Sequence, residues 1–317
     1  MNENTQNQKP LNDIPARQNE QLQLNRLAAQ RMLYDRTRDI KWHRFIAIFA
    51  ATFVSVVITK FILNSEVLML LAAGLIWLGD WLVYRFEERQ HDLAALIQEA
   101  FDCDVLELPW NHYINDSRPP TDTVNRLAEQ YNPSRYPDQP LPNWYSVEVA
   151  TIPLPYARLI CQKSNIFWDK NLRRRYTNFI TKVLLGLLVL LAVIIILLDF
   201  AWLEGIAFIA AACAPPLGII VRELIQNRES IDQLEALNAR INDLWQKVFY
   251  EGETGADLDK AARAWQDAIY RHRRTSPVIP RKIYNRFRGT DEEVMYIDGK
   301  ALAQEVKDKL KKLENEK

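Results

Sequence analysis

The chain has 317 residues, with 40 Lys and Arg balanced by 40 Asp and Glu, so its formal net charge is zero. That balance argues against DNA or RNA as the main partner, and three cysteines with no paired spacing argue against a disulfide or zinc framework. A mean hydropathy of -0.23 beside long apolar runs requires a large polar fraction outside any bilayer.

Residues 1–20 are rich in Asn, Gln and Glu and nearly free of large apolar side chains, which predicts a disordered tail. From Gln21 the pattern is helical, with Leu22, Leu24, Leu27, Ala28 and Met32 on one face of a juxtamembrane amphipathic helix over 21–44. Two apolar runs follow, 45–63 and 67–86, separated by Asn64, Ser65 and Glu66. Each is long enough to cross a bilayer core of about 30 Å, and together they read as one transmembrane hairpin over 45–86. The competing reading is a pair of buried helices in a soluble core.

Residues 87–178 form a polar middle segment. It opens with a helical continuation of the second run, passes through VLELPWN, and reaches Thr121-Asp122-Thr123, which reads as a helix N-cap. The proline-dense stretch 132–157 also carries Tyr136, Trp144, Tyr145 and Tyr156, which favours an ordered packing segment over a flexible linker. A helix then runs from Tyr156 into the next apolar stretch.

The 43 residues 179–221 are too long for one straight span, since a helix of that length would reach roughly 60 Å. They must fold back, and Asp199 marks the turn between spans 179–198 and 200–221, because a charge is tolerated at the membrane surface. Pro215 and Pro216 break the inner half of the fourth span, either as a plain kink or as a gating hinge. Residues 222–317 form a polar C-terminal helical region. Its first helix has a narrow apolar seam of Leu234, Leu237, Ile241, Leu244 and Val248, expected to pack on other helices. The fold class is therefore an all-α membrane protein, with four spans in two hairpins and a mainly helical cytosolic domain.

Lys and Arg set the orientation. Arg36, Arg38, Lys41 and Arg44 precede the first span, Arg85 and Arg89 close the second, Lys170 and Arg173 to Arg175 precede the third, and Arg222 and Arg228 follow the fourth. The positive-inside rule then puts both termini in the cytoplasm, as for a multi-pass protein of a bacterial inner membrane. Lys60, beside an outer turn, is the exception and can snorkel.

No P-loop, GxGxxG, HExxH or GxSxG is present, and His43, His91, His112 and His272 lack metal-ligand spacing. Neither an enzyme, a metal site nor a cofactor is expected. Asp80 and Asp199 fall at different depths and cannot form a proton-sharing dyad. Asp80 alone has two readings: paired with Arg85 or hydrated at the inner end of its span, or lining a conducting path with Thr52, Ser55 and Thr59. The run Arg271, His272, Arg273, Arg274 lies about 50 residues past the last span, where topology does not require it. With Arg281 it forms either a salt-bridged face or a phosphate-binding patch, with Tyr284 or Trp265 for base stacking.

The segments FDCDVLELPWN, SRYPDQPLPNWYS, ICQKSNIFWDKNLRRRY and RHRRTSPVIPRKIYNRFR, with the two hairpins, resemble the SMODS-associated four-transmembrane family of pore-forming effectors. The resemblance covers about residues 30 to 300. It implies bacterial anti-phage defence, a cyclic-oligonucleotide synthase as functional partner, and a cyclic oligonucleotide as activating ligand. It further implies a homo-oligomeric pore in the lipid bilayer. Alternatives are a channel or transporter not gated by nucleotides, and a non-conducting membrane scaffold.

Overall fold

The structure is a computed structural model that describes residues 10–58, 66–115, 117–135, 140–197, 202–250 and 257–315. Asp199, Thr59, Lys60 and the turn residues Asn64 and Ser65 lie outside these. The described residues form eight α-helices and no strand: α1 (Ile14–Arg17), α2 (Gln21–Val57), α3 (Glu66–Val105), α4 (Thr121–Ala128), α5 (Leu154–Leu197), α6 (Trp202–Phe249), α7 (Leu258–Thr275) and α8 (Arg281–Asn315).

Four of these helices are long because apolar and polar segments join without a break. The helix α2 packs along α3, and α5 along α6, while α2 and α3 both meet α6. Each long helix thus has one end in a polar head and one apolar end. Among the described residues, one helix, Leu154–Val193, is long and apolar enough to cross a membrane, and only 17% of its apolar window is buried. That low burial rules out a core helix of the head. The apolar ends of α2 and α3 likewise expose Phe49, Phe53, Leu70, Leu71, Leu75, Leu78 and Trp81 to the surroundings, which disfavours the soluble-core reading.

The head has one main core. Phe101, Cys103, Val105 and Leu106 from the end of α3 meet Tyr145, Val149 and Ile152, then Leu159, Ile160 and Ile166 of α5. The seam of α6, Leu234, Leu237 and Ile241, closes onto them together with Trp265 and Ile269 of α7 and Val306 of α8. A smaller cluster joins Ala29, Met32 and Leu33 of α2 to Ile97 of α3 and Leu127 of α4. At the end of α3, Arg158 donates to the carbonyls of Leu106 at 2.5 Å and Glu107 at 2.8 Å, satisfying groups a helix terminus leaves open.

Three expectations are corrected. Residues 10–20 are not a disordered tail: Ile14 is fully buried, the Leu11 amide donates to Ala150, and the Asn12 amide donates to the carbonyls of Val149 and Ile152. Composition misled because the segment is held by buried hydrogen bonds, not by apolar area. Thr121 does not cap α4, whose N-cap is Pro120 in an extended conformation. And α6 runs through Pro215 and Pro216 as one helix. Three residues on, a Cβ at Gly218 would stand 2.6 Å from the Trp77 ring of α3, so that glycine lets the two hairpins approach closely.

Replacing Asn12 tests how the N-terminal segment is held. Asn12→Ala leaves two buried carbonyls without their donor and is expected to cost about 1–3 kcal/mol. Thermal unfolding of the detergent-solubilised protein would show it as a lower Tm, whereas a disordered tail would give no change.

Candidate functional site

Two adjoining features stand where the head meets the apolar ends. The first is a cavity of about 140 Å³ walled by Gln30, Arg31, Tyr34 and Arg38 of α2, His91 and Gln98 of α3, and Trp144. Trp168, Asp169 and Arg173 of α5, His272 and Arg273 of α7, the strap Pro277–Ile279 and Tyr284 of α8 complete it. On α2 the lining residues recur at steps of three and four, so one helical stripe faces the cavity.

Each arginine here is held. Arg38 donates to Asp35 at 3.1 Å and to the Ile279 carbonyl at 3.2 Å, with its guanidinium 4.0 Å from the centre of the Tyr284 ring. Tyr284 in turn meets Trp168 edge to face, centroids 5.6 Å apart. Arg173 bridges Asp169, Asn227 and the Pro277 carbonyl. Arg273 forms an ion pair with Asp102, which is fully buried and also accepts from Tyr145 and Gln266. Burial pushes the Asp169 carboxyl up, but Arg173 and the His272 ring overcome it and hold it well below the usual carboxylate range. Burial also pushes His91 down to about 3, assisted by Arg173 and Lys41, so its ring is neutral. Two polar atoms facing this space, Gln30 Oε1 and Trp168 Nε1, have no hydrogen-bond partner among the described residues.

The second feature is a buried ionic junction. Lys41 of α2, only 2% exposed, is paired with Glu223 of α6 and donates at 2.6 Å to the Val278 carbonyl of the strap. Glu223 also accepts from the Tyr176 hydroxyl at 3.1 Å. One turn along, Arg44 reaches Asp80 at 2.6 Å and Glu87 at 3.1 Å, and Arg222 reaches the other Asp80 oxygen at 2.8 Å. Three cations and three anions therefore tie α2, α3 and α6 together with no net charge. The strap is common to both features: Arg38, Lys41 and Arg173 each hold one of its carbonyls while it walls the cavity.

The structure brings only part of the sequence-predicted constellation together. Arg273 and Tyr284 line the cavity. Trp265 is buried in the main core, Arg281 is paired with Asp35 and Asp39, and Arg274 with Asp92. Arg271 lies with Arg274 beside an adjacent polar hollow of about 390 Å³. Asp80 follows neither of its two readings: Arg85 takes Glu88 instead, and Asp80 is 3% exposed between Arg44 and Arg222 inside one protomer. Thr52 is buried with its hydroxyl unpartnered among the described residues, and Ser55 is half-buried. Pro215 and Pro216 are buried within α6. Gln30, Arg38, Lys41 and Trp168 were not recognised from sequence as site residues, although their shared stripe on α2 was available for the first three.

A family model described as the SMODS-associating 4TM effector domain matches residues 12–301. The chain belongs to that family. No curated protein and no solved structure matches. Membership in the SMODS-associating 4TM effector family makes the chain a membrane effector associated with SMODS-linked signalling, and the matched region contains the whole cavity and the whole junction.

The junction yields a paired prediction. Lys41→Met strands Glu223 and the Val278 carbonyl, and is expected to destabilise by about 3–5 kcal/mol. Adding Glu223→Leu removes the stranded charge and is expected to recover most of that loss, read as Tm in detergent. The His91 imidazole gives a pH dependence. Unfolded His takes a proton near pH 6.5 and the folded one only near 3, so the unfolded state holds more protons in between and stability falls as pH falls. The loss should be roughly 2 kcal/mol between pH 6.5 and 5, and His91→Phe should flatten that part of the Tm profile.

Proposed function

We propose that the protein is a pore-forming effector of a bacterial anti-phage system, opened by a cyclic oligonucleotide bound in the cavity of the head. In this reading all four long helices cross the inner membrane by their apolar ends, both termini are cytoplasmic, and copies of the chain assemble around the pore. The effector is not an enzyme: it acts by permeabilising the membrane, and its signal comes from a cyclic-oligonucleotide synthase.

The observation that carries this reading is continuity. The walls of the cavity belong to the same unbroken helices as the apolar ends, through α2, α3, α5 and α6. A displacement of one wall is therefore a displacement of an apolar segment. The ligand chemistry is supported by guanidinium groups and aromatic faces in one enclosure, which suit phosphates and bases respectively. At about 140 Å³ the cavity is below the roughly 300–1,000 Å³ of small-molecule sites, so a whole cyclic dinucleotide requires the walls to part. A ligand that fits only the parted state shifts the population towards it. Going from 1:99 to 99:1 needs a preference of about 10⁴-fold.

Liposomes containing the purified protein test the reading. Dye and ion leakage is expected to switch on with one or more cyclic di- or trinucleotides and to stay off without them. Leakage indifferent to every nucleotide would indicate a channel gated otherwise, and none under any condition a scaffold. Arg38→Ala or Arg273→Ala should raise the nucleotide concentration needed by roughly tenfold or more, since each removes a charged hydrogen-bond donor.

A further inference from the structure

Gln30 is 2% exposed, and its Oε1 makes no hydrogen bond among the described residues although it faces the cavity. Trp168 Nε1, across the same space, is in the same condition. Buried polar atoms are rarely left unmade, because each forfeits the hydration it had in the unfolded chain. An acceptor and a donor left open towards one enclosure, beside the indole of Trp144, describe a site awaiting a flat polar partner. A carboxamide presents an acceptor and a donor side by side, and that pair is complementary to the edge of a nucleobase.

We infer that Gln30 reads the base of the bound nucleotide and that the preferred base is adenine. The inference rests on the cavity being the ligand site. Adenine offers its amino group next to a ring acceptor on either side, N7 or N1, so the Gln30 amide is satisfied whichever edge enters. Guanine presents two acceptors, O6 and N7, on its major-groove edge, and there Oε1 would remain unpaired. A purine also covers more of the Trp144 and Trp168 surfaces than a pyrimidine does. Arg38 and Arg273 are left for the phosphates, so base choice and phosphate binding fall to different side chains.

The test uses calorimetric titration of the full chain in detergent with cyclic di-AMP, cyclic di-GMP and cyclic di-UMP. The wild type is expected to bind cyclic di-AMP about tenfold or more tightly than the other two. Gln30→Leu should abolish that preference, bringing cyclic di-AMP down to the level of the others, while Arg38→Ala weakens all three alike. Without ligand, Gln30→Leu should leave Tm unchanged or raise it, because it deletes an unmade hydrogen bond. A preference that survives Gln30→Leu, or a wild type that favours cyclic di-GMP or cyclic di-UMP, overturns the inference and leaves the cavity as the ligand site. A fall of several degrees in the Tm of Gln30→Leu overturns it as well, by giving Gln30 a structural role. Failure of all three, and of cyclic tri-AMP, to bind the wild type removes the ligand reading and this inference together.

Discussion

The ammonium of Lys41 is the contact on which the rest of the structure depends. Removing a charge from water is costly, and an ammonium that is 2% exposed persists only because Glu223 and the Val278 carbonyl meet it together. Those two partners belong to different parts of the chain. Glu223 sits on the helix that begins in the second apolar pair, while Val278 sits on the strap that walls the cavity. One nitrogen atom therefore fixes α2, α6 and the strap relative to each other. Arg44, Asp80 and Arg222 repeat the arrangement one turn nearer the apolar ends. If the strap moves away, Lys41 loses a ligand and Glu223 keeps an uncompensated share of buried charge.

The elements of the fold were legible in the sequence, and their contacts were not. Apolar runs and helical spacing give α2, α3, α5 and α6, and the α6 seam reads correctly as a packing surface because Leu234, Leu237 and Ile241 recur at steps of three and four. The docking of residues 10–20 escapes such reasoning, since Asn12 and Gln18 are buried by hydrogen bonds to distant carbonyls and leave no periodic trace. The site was legible only in part, for a related reason. Basic residues next to an apolar run already have an explanation in membrane topology, which hides any second role for Arg38, Lys41 and Arg44. The cluster at Arg271–Arg274 stood out because topology did not require it, yet only Arg273 of its arginines turns into the cavity. Trp265 looked like a stacking residue and is core, because the apolar stripe of α7 that carries it faces α3, α5 and α6.

Asp80 illustrates how partners change the meaning of a residue. A lone carboxylate in an apolar run points to an ion path or a hydrated end. Two guanidinium groups from helices far away in sequence make it a cross-link instead, holding α3 to α2 and α6. No reading of α3 alone could have supplied them, since Arg44 lies 36 residues before Asp80 and Arg222 lies 142 after it. The same three-helix junction makes the helices of one protomer move as a set.

Stability alone does not explain why this junction is ionic. Buried ion pairs replaced by apolar side chains of similar volume are often neutral or stabilising, so a purely apolar joint would hold the helices at least as well. What an ionic joint adds is discreteness. Apolar surfaces slide with small changes in area, whereas Lys41 either has its two partners or must find others or water. A joint with that property has two states separated by several kcal/mol, and a ligand acting on the strap needs a preference of that order to switch it. The cavity and the junction share the strap, so the binding free energy available in one can be delivered to the other through a single moving segment. An effector that must stay closed until its signal arrives is better served by such a joint than by a stronger one.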